Sequence, residues 1–419
     1  MEKIVIAGIE IKKVTLKDLL LNKGMFLAYL LLAIGILGIV SVMGERYFLE
    51  TANAFTAGLH PGSEEVAKAM KEAVFGEGGE IVRESPWGMF IVNYMYMIYT
   101  GSGIIFLVAL GELLGFETIK KTAAGFMVLG LAIVFGGLFT INVDLNVLHM
   151  QWMFLSPNMH AGMWFMLPLY AVYIPFVLFE IYLLLTNKRE WAQKIAVPVL
   201  LLSVVVDIVE YFIQAKLFTG NTARHLWTTY PNLTLYYIVS AWVASLAVMI
   251  IYSKLTYKES LKGDYEKHME LLRKTTMVSI ALLAVYEVIV FMTIDSRWAS
   301  VILTGGLKGQ FYTYVLLALV IPFFMALKKA NMTLMAVLMI IGTYIGRYIF
   351  VYGGNAYSLS NLAGTGFQKF GEYEPASDFV LVTPHFSEIL AIIGSVGVVI
   401  LVYKIIDAFL SVSKVSDHH

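Results

Sequence analysis

The chain has 419 residues, 59% of them hydrophobic and 14% charged, and its 30 basic side chains balance 30 acidic ones. That composition is far too apolar for a water-soluble domain of this length, and it offers no basic footprint for nucleic acid. The lack of any cysteine excludes a disulfide, a thiolate-bound zinc and an iron–sulfur cluster held by this chain alone.

From the N-terminus, residues 1–24 form a lysine-bearing segment. The apolar run at 25–43 is too long for the h-region of a secretory signal, and no clean small-x-small cleavage site follows it. It reads as a retained membrane helix. Residues 44–87 predict an outer loop in which SEEVAKAMKEAVFGEGGE forms a short acidic helix. Eight further runs reach or approach the ~20 apolar residues that cross a bilayer core. They lie at 88–114, 122–143, 160–186, 195–215, 234–254, 274–294, 311–328 and 332–353. A second outer loop at 354–384, rich in Gly, Ser, Asn and Tyr, precedes a last helix at 385–409 within the closing segment 385–419. The expectation is an all-α polytopic membrane protein with about ten transmembrane helices.

Charge distribution orients it. With the N-terminus inside, the N-terminal segment, the alternate short loops and the C-terminal end carry 20 of the 30 Lys and Arg, and the opposite loops carry nine. The positive-inside rule then sets both termini in the cytoplasm. The remaining basic residue is Arg347, inside the ninth run, IIGTYIGRYIFVYGG. A charge at membrane depth costs several kcal/mol, roughly 2.5–3.5 on insertion scales.

Other polar groups share the spans. In the fifth, Ser203, Asp207, Glu210 and Gln214 recur at offsets 0, 4, 7 and 11, which is one helix face. The second carries Asn93, Tyr96 and Thr100; the seventh, Tyr286 and Glu287; the tenth, His385, Glu388 and Ser395. Asp144 and His149 close the third span, His160 opens the fourth ahead of Trp164, and Glu180 lies with Glu112 toward the cytoplasmic side. By a 1.5 Å rise, Arg347, Glu388, Glu210 and Glu287 all fall roughly 6–10 Å below the outer ends of their runs. Arg347 is therefore expected to pair with Glu388, Glu287 or Glu210, because an unpaired charge there costs far more than a paired one. Two readings follow: ion pairs that pin helices together, or a cluster that exchanges protons with a membrane-soluble ligand such as a quinone head group. A secondary transporter using the charged cluster is the competing function. A transmembrane haem pair is excluded by the histidines, since only His160 and His385 of the eight fall on membrane helices, both at outer ends.

The segment INVDLNVLHMQWMFLSPNMHAGMWFMLPLYAVYIPFVLFE resembles the integral membrane subunit of the polysulfide reductase (NrfD/PsrC) family at Asp144, Ser156-Pro157, Leu169-Tyr170 and Glu180. HLWTTYPNLTLYYIVSAWVASLAV, IGRYIF and TPHFSEILAIIG continue the likeness in order, and the SPWGMFIVN start of the second helix points to its ten-helix branch, found in membrane-bound hydrogenase and sulfite-reduction-linked complexes. The family's Gly-Arg-Pro after the Asp is replaced here by Asn146-Val147-Leu148. The resemblance implies two four-helix bundles, 88–215 on the quinone side and 216–353, plus flanking helices. It implies a subunit of a respiratory oxidoreductase in the cytoplasmic membrane that is not catalytic alone. A quinone, menaquinone ahead of ubiquinone, would be its cofactor, with no haem or iron–sulfur cluster and no metal on this chain. Its partners would be a ferredoxin-like iron–sulfur subunit on the outer face and, through it, a molybdopterin, hydrogenase or cytochrome subunit. Asp144 and His149 become the quinone-proton partners, and Asn93, Tyr96, His160 and Trp164 line the head group. Glu180, Asp207, Glu210, Glu287, Arg347 and Glu388 become proton-path or buried ion-pair residues.

Overall fold

A computed structural model describes residues 3–6, 9–54, 87–145, 155, 157, 162–186, 189–220, 225–294, 296–355 and 384–413. Among the described residues, ten helices are long and apolar enough to cross a membrane. They are α1 (Lys23–Ala54), α2 (Met89–Leu113), α3 (Glu117–Leu145), α4 (Gly162–Leu185) and α5 (Glu190–Thr219). After them come α6 (Leu233–Thr256), α7 (Tyr265–Thr293), α8 (Lys308–Leu327), α9 (Met332–Asn355) and α10 (Phe386–Leu410). The chain is an all-α polytopic membrane protein. With no water in the hydrocarbon to satisfy backbone groups, helices that bond internally are the solution open to such runs.

Several helices outrun their apolar stretches. The first span, expected to end at 43, continues to Ala54, and the fifth reaches Thr219 rather than 215. Hydropathy marks the lipid-immersed part of a helix and is blind to a helix that continues into water. The acidic stretch at 63–80, most of the second outer loop and the terminal Asp417-His418-His419 lie outside the described residues. One element is not helical. Lys3–Ile6 (β1) and Ile9–Lys12 (β2) pair antiparallel, with Ile4 opposite Ile11. The alternation in KIVI and IEIK is a strand signal hidden by the dominant helix pattern. A four-residue hairpin is marginal alone, and β2 lies against α10.

Among the described residues, α2 contacts α3 and α5 while α4 contacts both of these, which closes a ring. Helices α6 to α9 close a second ring in the same way, each touching its sequence neighbour and α6 touching α9. The rings meet through α2 against α6 and α9, and through α5 against α6. The central helix is α2: 89% of its apolar window is buried inside the protein, against 22% for α5 and for α10. Helix α1 pairs with α10 outside the rings, and α10 leans on α3. At their crossing, Gly35 faces Gly394 so closely that a Cβ on either would overlap the other backbone. Gly24 lies against Lys404, so the start of α1 and the end of α10 share one end of the molecule, the terminal end. Close backbone approach replaces the hydrophobic drive that lipid cannot supply.

Candidate functional site

In α5, Ser203, Asp207, Glu210 and Gln214 point inward together, each at most 2% exposed, while Val205, Ile208, Val209 and Phe212 on the other faces stay exposed for lipid. Facing them, α4 supplies Tyr170 and Tyr173 one turn apart. Tyr173 donates to Asp207 Oδ1 at 3.0 Å, and Tyr170 donates to Glu210 Oε1 at 3.0 Å. Gln214 donates to Tyr170 at 2.7 Å and to Tyr94 of α2 at 2.8 Å. Ser102 of α2 donates to Tyr211 at 3.1 Å. The result is a ladder of hydroxyls and carboxylates along the inside of the first ring. One oxygen of each carboxylate, Asp207 Oδ2 and Glu210 Oε2, has no partner, and neither has Gln214 Oε1. No cation pairs with this stripe among the described residues. Glu210 sits nine residues before the end of α5, so a 1.5 Å rise puts it about 14 Å below that end, deeper than the apolar run implied.

Toward the terminal end the first ring holds a cavity of about 250 Å³ lined by Glu112, Lys120, Glu180 and aliphatic side chains of α2 to α5. Glu180 is 4% exposed and both of its oxygens lack partners, as does Glu112 Oε1. A buried polar atom without a partner costs about 1–3 kcal/mol, more when charged. Such atoms cluster here beside a cavity large enough for water, at a cost in stability that a purely structural packing would avoid.

At the opposite end, Asp144 occupies the last turn of α3 and is half-buried. Trp164, in the first turn of α4, stacks edge-on with Phe165. His149 and His160 lie outside the described residues. Below Trp164, Tyr94 meets Met166 Sδ at 3.8 Å and Tyr170 at 3.4 Å, so α4 leads from Trp164 to the top of the ladder.

Other predicted site residues are placed elsewhere. Asn93 donates to Thr140 at 2.8 Å and to Ser395 at 3.0 Å, so its amide bolts α2 to α3 and α10. Tyr96 donates to the Ile340 carbonyl at 3.3 Å and turns toward α9. Glu388 accepts from the His385 backbone N–H at 3.3 Å and caps its own helix. Glu287 accepts from Tyr314 at 2.7 Å in the second ring.

Arg347 departs from the expected ion pair. Among the described residues no carboxylate lies within bonding distance of its guanidinium. It donates to Ser240 at 2.6 Å and lies over the rings of Tyr99, Tyr236 and Tyr237, with centroids 4.7–5.2 Å away. A desolvated cation over an aromatic face gains about 2 kcal/mol or more, so three tyrosines take over much of the role assigned to a carboxylate. The signals missed in the sequence were aromatic. Tyr170/Tyr173 and Tyr236-Tyr237 look like packing residues until a titratable partner is found beside them.

The polysulfide reductase family model matches residues 77–360. That stretch holds α2 to α9, the two helix rings, and leaves α1 and α10 outside. No curated protein matches the chain.

Proposed function

The chain belongs to the polysulfide reductase family, and from that premise we propose that it passes quinol protons down the α4–α5 ladder while electrons go to a partner. At the coarser level, it is a multi-pass membrane subunit of a quinone-linked oxidoreductase, in a family whose members generally partner with iron–sulfur and catalytic subunits. The finer reading puts the quinone head group at the end of the first ring marked by Asp144 and Trp164, with His149 and His160 as its nearest neighbours in sequence. Menaquinone is the candidate ahead of ubiquinone. The quinone would supply two-electron, two-proton chemistry; this chain supplies binding and proton handling. Electrons leave through a ferredoxin-like iron–sulfur subunit on the outer face of the cytoplasmic membrane.

The observation that carries the reading is the ladder itself. Tyr94, Tyr170 and Gln214 sit at its top, Glu210 and Asp207 hold unpartnered oxygens at its middle, and Glu180 and Glu112 border water-sized space at its foot. Tyr170 and Tyr173 each donate to a carboxylate, and Tyr170 also accepts from Gln214, so each rung pairs a hydroxyl with a group that can take or give a proton. Asp144, half-buried at the entry, orients the head group and takes its first proton.

The test uses the assembled complex purified from native membranes. Asp144→Asn keeps size and hydrogen-bonding capacity but removes the base, so quinol turnover falls by about 10²-fold or more while the partner subunits stay attached. Unchanged turnover in an intact complex contradicts the assignment.

A further inference from the structure

Where two rings of helices meet, α2, α6, α7, α8 and α9 enclose a void of about 10 Å³ lined by Tyr96, Tyr99, Ser240, Tyr314, Thr343 and Arg347, among others. That is the size of a single water site, and polar groups line it from four helices. Two observations point into it. Arg347 is 4% exposed, and its Nη1, unlike Nη2, has no hydrogen-bond partner. Tyr314 lines the same void while its hydroxyl donates to Glu287 at 2.7 Å.

We propose that the void is a one-water site joining Arg347 to Tyr314, so that Glu287 on α7 is the counter-charge of Arg347 through a relay of one water and one tyrosine. The connectivity is complete in one direction. Arg347 Nη1–H donates to the water, the water donates to Tyr314 Oη, and Tyr314 donates to Glu287 Oε1. Each of these three bonds then joins a donor to an acceptor, and bonds polarised in one sense reinforce one another. Glu287 lies within Coulombic reach of the guanidinium. Glu210 does not qualify, because its partners Tyr170 and Gln214 do not line the void.

Local backbone builds the junction. After Tyr314, α8 runs as a π-helix over Val315–Val320, a rare form that concentrates at functional sites. Two glycines of α9, one turn apart, admit this widened segment. A Cβ on Gly342 would stand 2.5 Å from Ala318 N, and one on Gly346 would stand 2.8 Å from the Tyr314 ring. Those contacts press Tyr314 against the turn that carries Arg347. The relay makes a prediction about roles. Arg347, the cation buried at this depth among the described residues, is matched within the second ring, so the first-ring carboxylates are left to change charge during turnover. The inference does not rest on the quinone reading, since it concerns the other ring and its test reads stability.

The test is a double-mutant cycle on thermal stability of the full chain in mild detergent. Arg347→Gln and Glu287→Gln each strand a buried charge and lower the melting temperature. The Arg347→Gln/Glu287→Gln double variant strands none and melts above the Arg347→Gln single variant. In a Tyr314→Phe background, which breaks the relay, the coupling between the two sites falls at least several-fold. If Arg347→Gln fails to accumulate in membranes, restored accumulation of the double variant is the same positive result. Losses that simply add, a double variant that fails where Glu287→Gln alone accumulates, or coupling unchanged in the Tyr314→Phe background would overturn the relay.

Discussion

The two helix rings treat buried charge in opposite ways. The first, α2 to α5, holds Asp207, Glu210, Glu180 and Glu112 with unpartnered oxygens and no cation bonded to them among the described residues. The second, α6 to α9, holds Arg347 boxed by aromatic rings, Glu287 bonded to Tyr314, and Arg273 paired with Glu270. Permanent charge suits a fixed structural role, because a guanidinium does not deprotonate in proteins. Carboxylates without a fixed partner suit a role in which protons come and go. Under the proposed function, the second ring keeps its charge fixed while the carboxylates of the first are protonated and deprotonated.

Substitutions sharpen that contrast, beginning with the largest effect. Glu210→Gln removes the middle of the ladder and lowers quinol turnover of the assembled complex by about 10²-fold or more, with little change in melting temperature, since an amide still accepts from Tyr170. An Arg347→Ala variant does the reverse. It strips a buried cation from three tyrosine faces and Ser240, and costs about 3–5 kcal/mol of stability in a detergent melt. A loss of turnover from Arg347→Lys in a complex of unchanged stability would break the contrast, because it would give the second ring a part in the chemistry.

Effects farther from both clusters are smaller. Gly35→Leu, at the α1–α10 crossing, forces the two backbones apart and costs about 1–3 kcal/mol. Protease accessibility of α1 is the readout. Asn93→Ala removes the bolt from α2 to α3 and α10 and costs about 0.6–1.7 kcal/mol, the range of interhelical hydrogen bonds in membranes. Quinol turnover is expected to persist in that variant, and its loss would restore Asn93 to the head-group site.

The spans were legible because lipid imposes one simple rule on composition, and ten runs produced ten helices. Their ends were not, since a helix can continue without an apolar signature, as α1 does beyond residue 43. The α5 stripe was legible too. Its four polar residues recur at helical spacing, and all four are buried. Partner choice was the illegible part. Nothing in the spacing of Arg347 reveals that Tyr99, some 250 residues away in the chain, closes over it from another helix. Nor did it show that Glu388, two residues into α10, is spent on capping. Periodicity gives the face of each helix; which faces meet depends on packing between helices, where small residues such as Gly342, Gly346 and Gly394 decide the approach.

The central claim is that protons travel through the first ring and not the second. The most direct measurement is rapid-mixing reduction of the partner iron–sulfur centre by quinol, in native complexes carrying Glu210→Gln or Glu287→Gln. Glu210→Gln is expected to slow that reduction by about 10²-fold, whereas Glu287→Gln lowers the melting temperature and leaves the rate within a few-fold of the parent. Slow reduction with Glu287→Gln and normal reduction with Glu210→Gln would contradict it.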